Sequence, residues 1–437
     1  MKKLLLIAIL PIFGLSINAQ NKKCATMEIL EQRMKKDPSI QLRMQQSEIE
    51  TQKWIAGHSK TNPKTTSNTT KSNHVITIPV VFHIIHTGEP IGTGSNISDD
   101  QIYSQLDILN EDFRLMNADS LDDTHPFWFY TADTEIEFCL AQQDPNGNAT
   151  TGITRTLSSM PHFGVTNRDD IKYTADGGKD NWDPTQYLNF WTFKADPAWS
   201  ILGFATFPSD LATDPDLDGV AQIYNATGIH PDNNPDNNLG RTATHEVGHW
   251  LNLHHIWGDE ACGDDFCADT PEHEGENYGC PTFPHRPYNT CTPGTYENGE
   301  MYMNYMDYVN DNCMVMFTLN QSDRMDAALF GARSGLLTSD GCSTPQGIYS
   351  LNKSIDVNLY PNPSKGSFFI DLQSDVLEDI SITVNNVLGE IVYQYNKQNV
   401  VKLDNFRIDI NNKSNGIYFV NITVGHNVIN KKIILSK

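Results

Sequence analysis

Thr244-His245-Glu246-Val247-Gly248-His249-Trp250-Leu251-Asn252-Leu253-His254-His255 decides how the rest of this 437-residue chain is read. His245 and His249 stand four residues apart, so a helix turns both imidazoles to one face, one turn apart. Glu246 sits between them and can reach a water held by a shared metal. His255 follows His245 by ten residues, and a continuous helix would carry it off that face. The chain must therefore break between His249 and His255. Asn252 stands at the break, and Asn enters the left-handed region more readily than most non-Gly residues. Three neutral imidazoles leaving one position open suit a zinc ion that makes water acidic. Glu246 would act as general base and then pass the proton to a leaving amine. Single histidines are usually ordinary, and HExxH alone recurs by chance. The eleven-residue pattern 245–255 is far harder to obtain that way.

Outward from this segment the chain alternates strands and helices. VITIPVVFHIIH (75–86) is β-branched and apolar, a buried strand. Ser98 and Asp99 can cap a helix running through Ile102, Leu106, Ile108, Leu109 and Phe113, spaced for one apolar face. IEFCLA (136–141), YLNFWTF (187–193), GFATFP (203–208) and GVAQIY (219–224) read as further strands. The pattern predicts an α/β (α+β) domain with a mixed twisted sheet and helices against it. Residues 258–342 are rich in Gly, Pro, Asp and Cys and should form a loop-dominated lobe held by cross-links. Within it Asn304-Tyr305-Met306-Asp307-Tyr308 would put Met306 as an apolar floor beneath the metal and Tyr308 within reach of an oxyanion. A Met is by itself mostly packing; the distance from the histidine helix gives this one its weight.

The two ends differ in kind. Lys2 and Lys3, an apolar run Leu4–Leu15 and Ala19 have the order of a secretory signal peptide, with cleavage expected after Ala19. The run is too short to span a bilayer, and no membrane span is expected in the mature protein. Lys22 and Lys23 exclude a lipoprotein reading of Cys24. Residues 20–58 look helical and charged, and SKTNPKTTSNTTKSNH (59–74) is a polar, cuttable linker. After Cys342, YPNPSKG (360–366) and the runs FFIDL, SITVNN, EIVYQY, RIDI, IYFVNITV and NKKIILS predict about seven short strands, an all-β sandwich. The expected divisions are 1–19 signal, 20–74 propeptide and linker, 75–342 catalytic domain and 343–437 sandwich. The formal charge of −23 is uneven: +7 over 1–74, −31 over 75–342 and +1 over 343–437. Such acidity excludes a general nucleic-acid binder and suggests a basic propeptide clamped on an acidic domain.

HEVGHWLNLHHIWGD (245–259), CGDDFCADTP (262–271) and NYMDY (304–308) resemble the pappalysin family of metzincin endopeptidases, in particular its ulilysin-like bacterial branch. Asn252 stands where the metzincin motif has Gly. The resemblance implies His245, His249 and His255 as zinc ligands, Glu246 as general base/acid, Met306 as the Met-turn and Tyr308 beside the oxyanion. It implies that Gly203, Phe204 and Ala205 form an edge strand pairing with extended substrate. It pairs Cys262 with Cys291 and Cys280 with Cys313, where sequence alone allows three pairings of the four. Cys139, Cys267 and Cys342 stay unassigned. It also implies calcium at Asp265 and Thr270, against the alternative of a solvated acidic loop; for DPDLDG (214–219) the solvated turn is the reading adopted. Cys24 would fill the open zinc position in a latent form, against an incidental free thiol. Asp311 would favour Arg or Lys in substrates.

The tail, through YPNPSKG, NGIYFVNI (415–422) and KKIILSK (431–437), resembles the C-terminal sorting domain of the type IX secretion system; the alternative is a carbohydrate- or surface-binding sandwich. The implied partners are protein or peptide substrates and that secretion machinery. The implied location is secreted or cell-surface, through the periplasm of a Gram-negative bacterium. The implied function is a secreted zinc-dependent endopeptidase made as a latent zymogen. The alternative is a surface adhesin or binding protein with a structural zinc site; Glu246 speaks against it, because a structural site needs no base.

Overall fold

The structure is a computed structural model that describes residues 23–59, 75–287, 291, 298–344, 356–424 and 427–437. The signal peptide read at 1–19 and all of the linker but Ser59 lie outside the described residues. Two compact units are present, Met1–Thr344 and Pro345–Lys437.

In the first unit, the apolar run at 75–86 becomes β1 (Ile76–His86), buried along nearly its whole length. A strand covered on both faces has no polar side, which is why its sequence shows no alternation. β1 pairs in parallel with β2 (Ile136–Leu140), β3 (Ile153–Leu157) and β4 (Leu188–Phe193). β4 pairs in parallel with β6 (Val220–Ile223), and β5 (Gly203–Ala205) closes the edge antiparallel to β6. The sheet is thus mixed, in the order β2-β1-β4-β6-β5, with β3 beside β1. β3, ITRTL, carries two Thr and an Arg and is nowhere fully buried, so it gave no apolar signal in the sequence. α3 (Asp99–Phe113) starts at Ser98, whose side chain accepts from the Gln101 amide. It packs against α4 (Arg241–Trp250), the helix that carries His245 and His249. Phe82, Phe113, Val247, Trp250 and Met306 share one core cluster.

Among the described residues between α4 and α5 (Leu319–Phe330) there is no strand or α-helix. Covalent and polar ties hold that lobe instead. Cys262 pairs with Cys291 and Cys280 with Cys313. Cys139 on β2 pairs with Cys342, two of the three cysteines left open above, and closes the largest loop of the chain, with 203 residues of separation. Cys24 and Cys267 are free and buried. The Asp-rich turn at 214–219 is not merely solvated: Asp218 is buried and takes both Arg333 guanidinium nitrogens at 2.9 Å and the Trp250 indole N–H at 2.9 Å. Arg333 also lies 3.9 Å from the Trp250 ring centroid, so this pair anchors the C-terminal end of α4.

Before β1 lie α1 (Thr26–Lys36) and α2 (Ser39–His58). No helix among the described residues is long and apolar enough to cross a membrane.

Among its described residues the second unit has five antiparallel strands rather than about seven: β7 (Asp356–Tyr360), β8 (Ser367–Asn386), β9 (Ile391–Asp409), β10 (Gly416–Val424) and β11 (Asn427–Leu435). FFIDL and SITVNN belong to one strand, β8, and EIVYQY and RIDI to another, β9. Register shifts between Gln373 and Ile380 bend the β8–β9 ladder without ending it. One apolar cluster takes Phe368 and Ile370 from one half of β8 and Ile382 and Val384 from the other. Polar breaks in the sequence were therefore bulges, not turns.

Candidate metal centre and cleft

α4 is only ten residues long and ends at Trp250 because Asn252 adopts φ +74°. That left-handed step turns the chain back, so that His255 faces the helix it has just left. The Nε2 of His249 lies 3.2 Å from that of His245 and 3.1 Å from that of His255. Three nitrogens each bonded to one tetrahedral zinc at the usual length would be about 3.3 Å apart. Each ring is oriented by its outer nitrogen: His245 Nδ1 on the Tyr305 carbonyl at 2.7 Å, His249 Nδ1 on the Leu253 carbonyl at 2.8 Å, His255 Nδ1 on Asp259 Oδ1 at 2.5 Å. The inner nitrogens converge with no acid among them, and burial holds His245 and His249 neutral. The donor set therefore fits a zinc ion.

The sulfur of Cys24 joins the set. All four ligand atoms lie within 4.8 Å of one another, and all four residues are buried. Cys24 Sγ donates to Glu246 Oε2 at 3.5 Å, and the Thr26 hydroxyl donates to the same oxygen at 3.1 Å. Glu246 Oε1 has no partner. Burial, the largest influence, pushes the Glu246 carboxyl up to about 8. Tyr308 donates its hydroxyl to the Cys24 carbonyl at 3.2 Å. Met306 lies beneath α4, where its sulfur would be 2.6 Å from a Cβ on Gly248.

β5 presents its free edge to the same segment. Leu202 N–H donates to the Lys23 carbonyl at 2.8 Å and Ala25 N–H to the Gly203 carbonyl at 3.0 Å, a parallel bridge. Gly203 is there because a Cβ would stand 2.9 Å from the Glu246 side chain. The Ala205 amide donates to Thr26 Oγ1 at 2.9 Å.

A family model described as Pregnancy-associated plasma protein-A matches residues 172–330, and one described as Secretion system C-terminal sorting domain matches 358–436. An extracellular metalloprotease of Colletotrichum graminicola is 30% identical over 257 residues, 57% of this chain and 75% of that protein. A solved mature mirolysin of Tannerella forsythia with a cleaved peptide is 43% identical, with 61% of this chain and 97% of that one covered and a TM-score of 0.55. Promirolysin of the same organism is 39% identical over 72% of this chain and 97% of that one, with a TM-score of 0.61.

The chain belongs to the pappalysin family of metzincin metalloproteases. This pappalysin is a zinc metalloprotease, and its tail is a type IX sorting domain, the mark of a secreted or surface-exported protein.

The pappalysin's N-terminal segment fills more of the cleft than Cys24 alone. Lys23 donates to the Val309 carbonyl at 2.7 Å, in a small pocket also lined by Asn237, His245, Glu246, Tyr308 and Asp311. Burial lowers the Lys23 pKa, opposed by the nearby Asp311, Asp236 and Asp307. Asp311 is itself spoken for: it accepts the Leu239 amide at 2.9 Å and the Arg241 amide at 3.2 Å, capping α4 at its positive end. Further along, Arg33 reaches Asp210 and Asp214, Glu48 takes Arg324 through both oxygens at 2.9 and 2.8 Å, and Thr51 accepts from the Asn252 side chain at 3.1 Å. Lys23, Thr26, Arg33 and Glu48 had no signal in the sequence, because each acquires its meaning only from a partner far along the chain.

In the acidic loop, Asp265 is buried; its Oδ1 accepts the Thr270 hydroxyl at 2.8 Å and its Oδ2 has no partner. Burial pushes its carboxyl up to about 7. Asp269 turns away, accepting the Thr318 hydroxyl at 2.7 Å and the Asn320 amide at 2.9 Å at the start of α5.

Gly248→Ala tests the floor of the site. Helix propensity alone would favour Ala by about 1 kcal/mol. The contact with Met306 instead predicts a net loss of about 1–2 kcal/mol through overpacking, read as a lower thermal midpoint of the full-length protein. A raised midpoint would mean that Met306 does not pack there.

Proposed function

We propose that this pappalysin is an endopeptidase held latent by residues 20–74, with Cys24 at the position a substrate carbonyl and water would otherwise use. The observation that carries the reading is the convergence of Cys24 Sγ with His245, His249 and His255 beside a buried Glu246. A thiolate is a strong zinc ligand, so the segment would close the metal to water. His245, His249 and His255 would hold the zinc, which when bound supplies a Lewis acid for the scissile carbonyl and for water.

The protein's own groups do the rest. Once the segment has left, Glu246 Oε2 loses its Cys24 and Thr26 donors and is free to take a proton from water. It then returns that proton to the leaving amine. Tyr308, whose hydroxyl donates to the Cys24 carbonyl here, would donate to the developing oxyanion. The β5 edge Gly203-Phe204-Ala205 would bind extended substrate backbone as it binds Lys23 and Ala25. Met306 and Asn252 keep the ligands in place. The chain would pass through the periplasm to the type IX machinery, and cutting within 59–74 would activate it.

Glu246→Gln is expected to lower casein hydrolysis by about 10²-fold or more while zinc content is kept. Cys24→Ala is expected to make the uncut precursor active. Full proteolysis by Glu246→Gln, or an inert Cys24→Ala precursor that still binds zinc and matures on cutting, would defeat the base and the latency readings in turn.

Asp311 and Lys23 support a preference for basic residues. Mass-spectrometric profiling of a digested proteome should show Arg or Lys enriched on one side of the cut, and a flat profile would remove Asp311 from specificity.

The unpartnered Asp265 Oδ2, with the Thr270 hydroxyl beside it, suits a calcium ion. Calcium is expected to raise the thermal midpoint of the chelator-treated protein by a few degrees, with Asp265→Ala abolishing the rise. An equal rise in Asp265→Ala would place calcium elsewhere.

A further inference from the structure

We propose that Asp210 and Asp214 form an arginine-binding subsite of the mature enzyme, which the latent form fills with its own Arg33. The proposal rests on the endopeptidase reading and adds a substrate feature to it. Arg33 Nη1 donates to Asp210 Oδ2 at 2.8 Å, and Nη2 donates to Asp214 Oδ2 at 2.9 Å. Two nitrogens of one planar fork meet two different carboxylates, a geometry that an ammonium cannot reproduce.

The site is built without Arg33. Asp214 N–H donates to the Asp210 carbonyl at 2.8 Å, and the Thr213 hydroxyl donates to Asp214 Oδ2 at 3.0 Å, so a turn of the catalytic domain sets the spacing of the acids. Asp210 is only 2% exposed, yet its Oδ1 has no partner. Burial pushes its carboxyl up, and the arginines that oppose this, Arg33 and Arg43, both belong to the N-terminal segment. When that segment leaves, Asp210 and Asp214 lose their counter-charge together with the cover that α1 and α2 give them, and two carboxylates held by one turn are left facing the cleft, where a guanidinium can replace Arg33.

The subsite is also on the substrate's path. β5 leads through Phe207, whose ring lies 5.6 Å from that of His249, into the 208–210 turn that carries Asp210. Thr26 stands at Glu246, and Arg33 lies seven residues along α1 from it. At helical rise that is about 10 Å, which an extended chain covers in about three residues. The subsite therefore reads a side chain roughly three or four residues from the scissile bond, on the side toward which β5 runs.

The test uses the mature enzyme, cut in the linker and freed of the N-terminal segment. A host peptide with one cleaved bond carries Arg, Lys or Ala at successive positions on both sides of it. The expected result is one position, three or four residues away on one side, where Arg raises kcat/KM about tenfold over Ala through KM, with Lys in between. In Asp214→Asn that Arg-to-Ala ratio should fall toward one. Asp210→Asn should do the same, but its burial puts folding at risk, so the more exposed Asp214 decides. No favoured position, or an unchanged ratio in Asp214→Asn, overturns the proposal. Chelator-sensitive cutting of the Ala host tests the endopeptidase reading separately and stands or falls without the subsite.

Discussion

Burying His245, His249, His255 and Glu246 against one another costs free energy that packing alone does not return. The imidazoles stay tolerable because each outer nitrogen has a partner, and the inner nitrogens share one point that a cation can occupy. That point exists only because α4 stops after ten residues and Asn252 turns left-handed. The neighbouring constraints serve that stop. Asp311 caps the start of α4, Arg333 and Asp218 hold its end, and Met306 fits against Gly248 in its middle. The loop lobe that supplies Tyr305, Met306 and Asp311 has no strand or α-helix of its own among the described residues, so two disulfides and these polar ties give it shape.

On the proposed reading, the N-terminal segment engages the groups that a substrate would use. Its backbone takes the β5 edge, its Cys24 carbonyl takes Tyr308, and its Thr26 hydroxyl bridges Glu246 and the Ala205 amide. What stands at the metal-ligand point is a sulfur. On the proposed reading, latency needs no distortion of the enzyme: the acid, the ligands and the edge strand are already assembled, and one segment covers them. The side chains of that segment then report on the cleft, since Lys23 and Arg33 each rest in a place where the catalytic domain keeps acids.

How far the sequence could be read depended on how local the physics was. The spacing of His245 and His249 is a helix period, the break at Asn252 is a backbone preference, and β1 is a continuous apolar run; all are written within a dozen residues. The strands read at 136–141, 187–193 and 219–224 were legible for the same reason, and the one read at 203–208 only as far as Ala205, where β5 ends. β3 was not, because a parallel strand with Thr and Arg on it is recognised by its partner β1 rather than by its pattern. The Cys139–Cys342 bridge joins residues 203 apart, and nothing local distinguishes that pairing. The tail's six quoted runs fall in four strands, β8 to β11, because a bulge and a turn look alike as polar interruptions. Glu48 and Arg324 are 276 residues apart, and neither sits in a motif.

Charge shows the difference between composition and contact. A +7 segment on a −31 domain suggests attraction spread over the whole face. The contacts are more particular. Lys23 and Arg33 do face acids, but Glu48 reverses the sign and grips Arg324, while Trp54 stacks on Phe330 at 5.6 Å and Thr51 bonds Asn252. Exposed charges are screened within about 10 Å in ordinary salt, so a diffuse field would hold the segment only weakly. Arg324 is fully buried and Arg33 is partly so, against a buried Asp210, and sheltered pairs are screened less. Holding therefore comes from a few sheltered pairs plus the edge-strand bridge, spaced along 23–59 so that no single rupture frees the cleft. On the proposed reading, separation of such a multi-point clamp would be governed by effective concentration: with residues 59–74 uncut each broken contact would re-form at once, and a cut there would remove that advantage from all of them together.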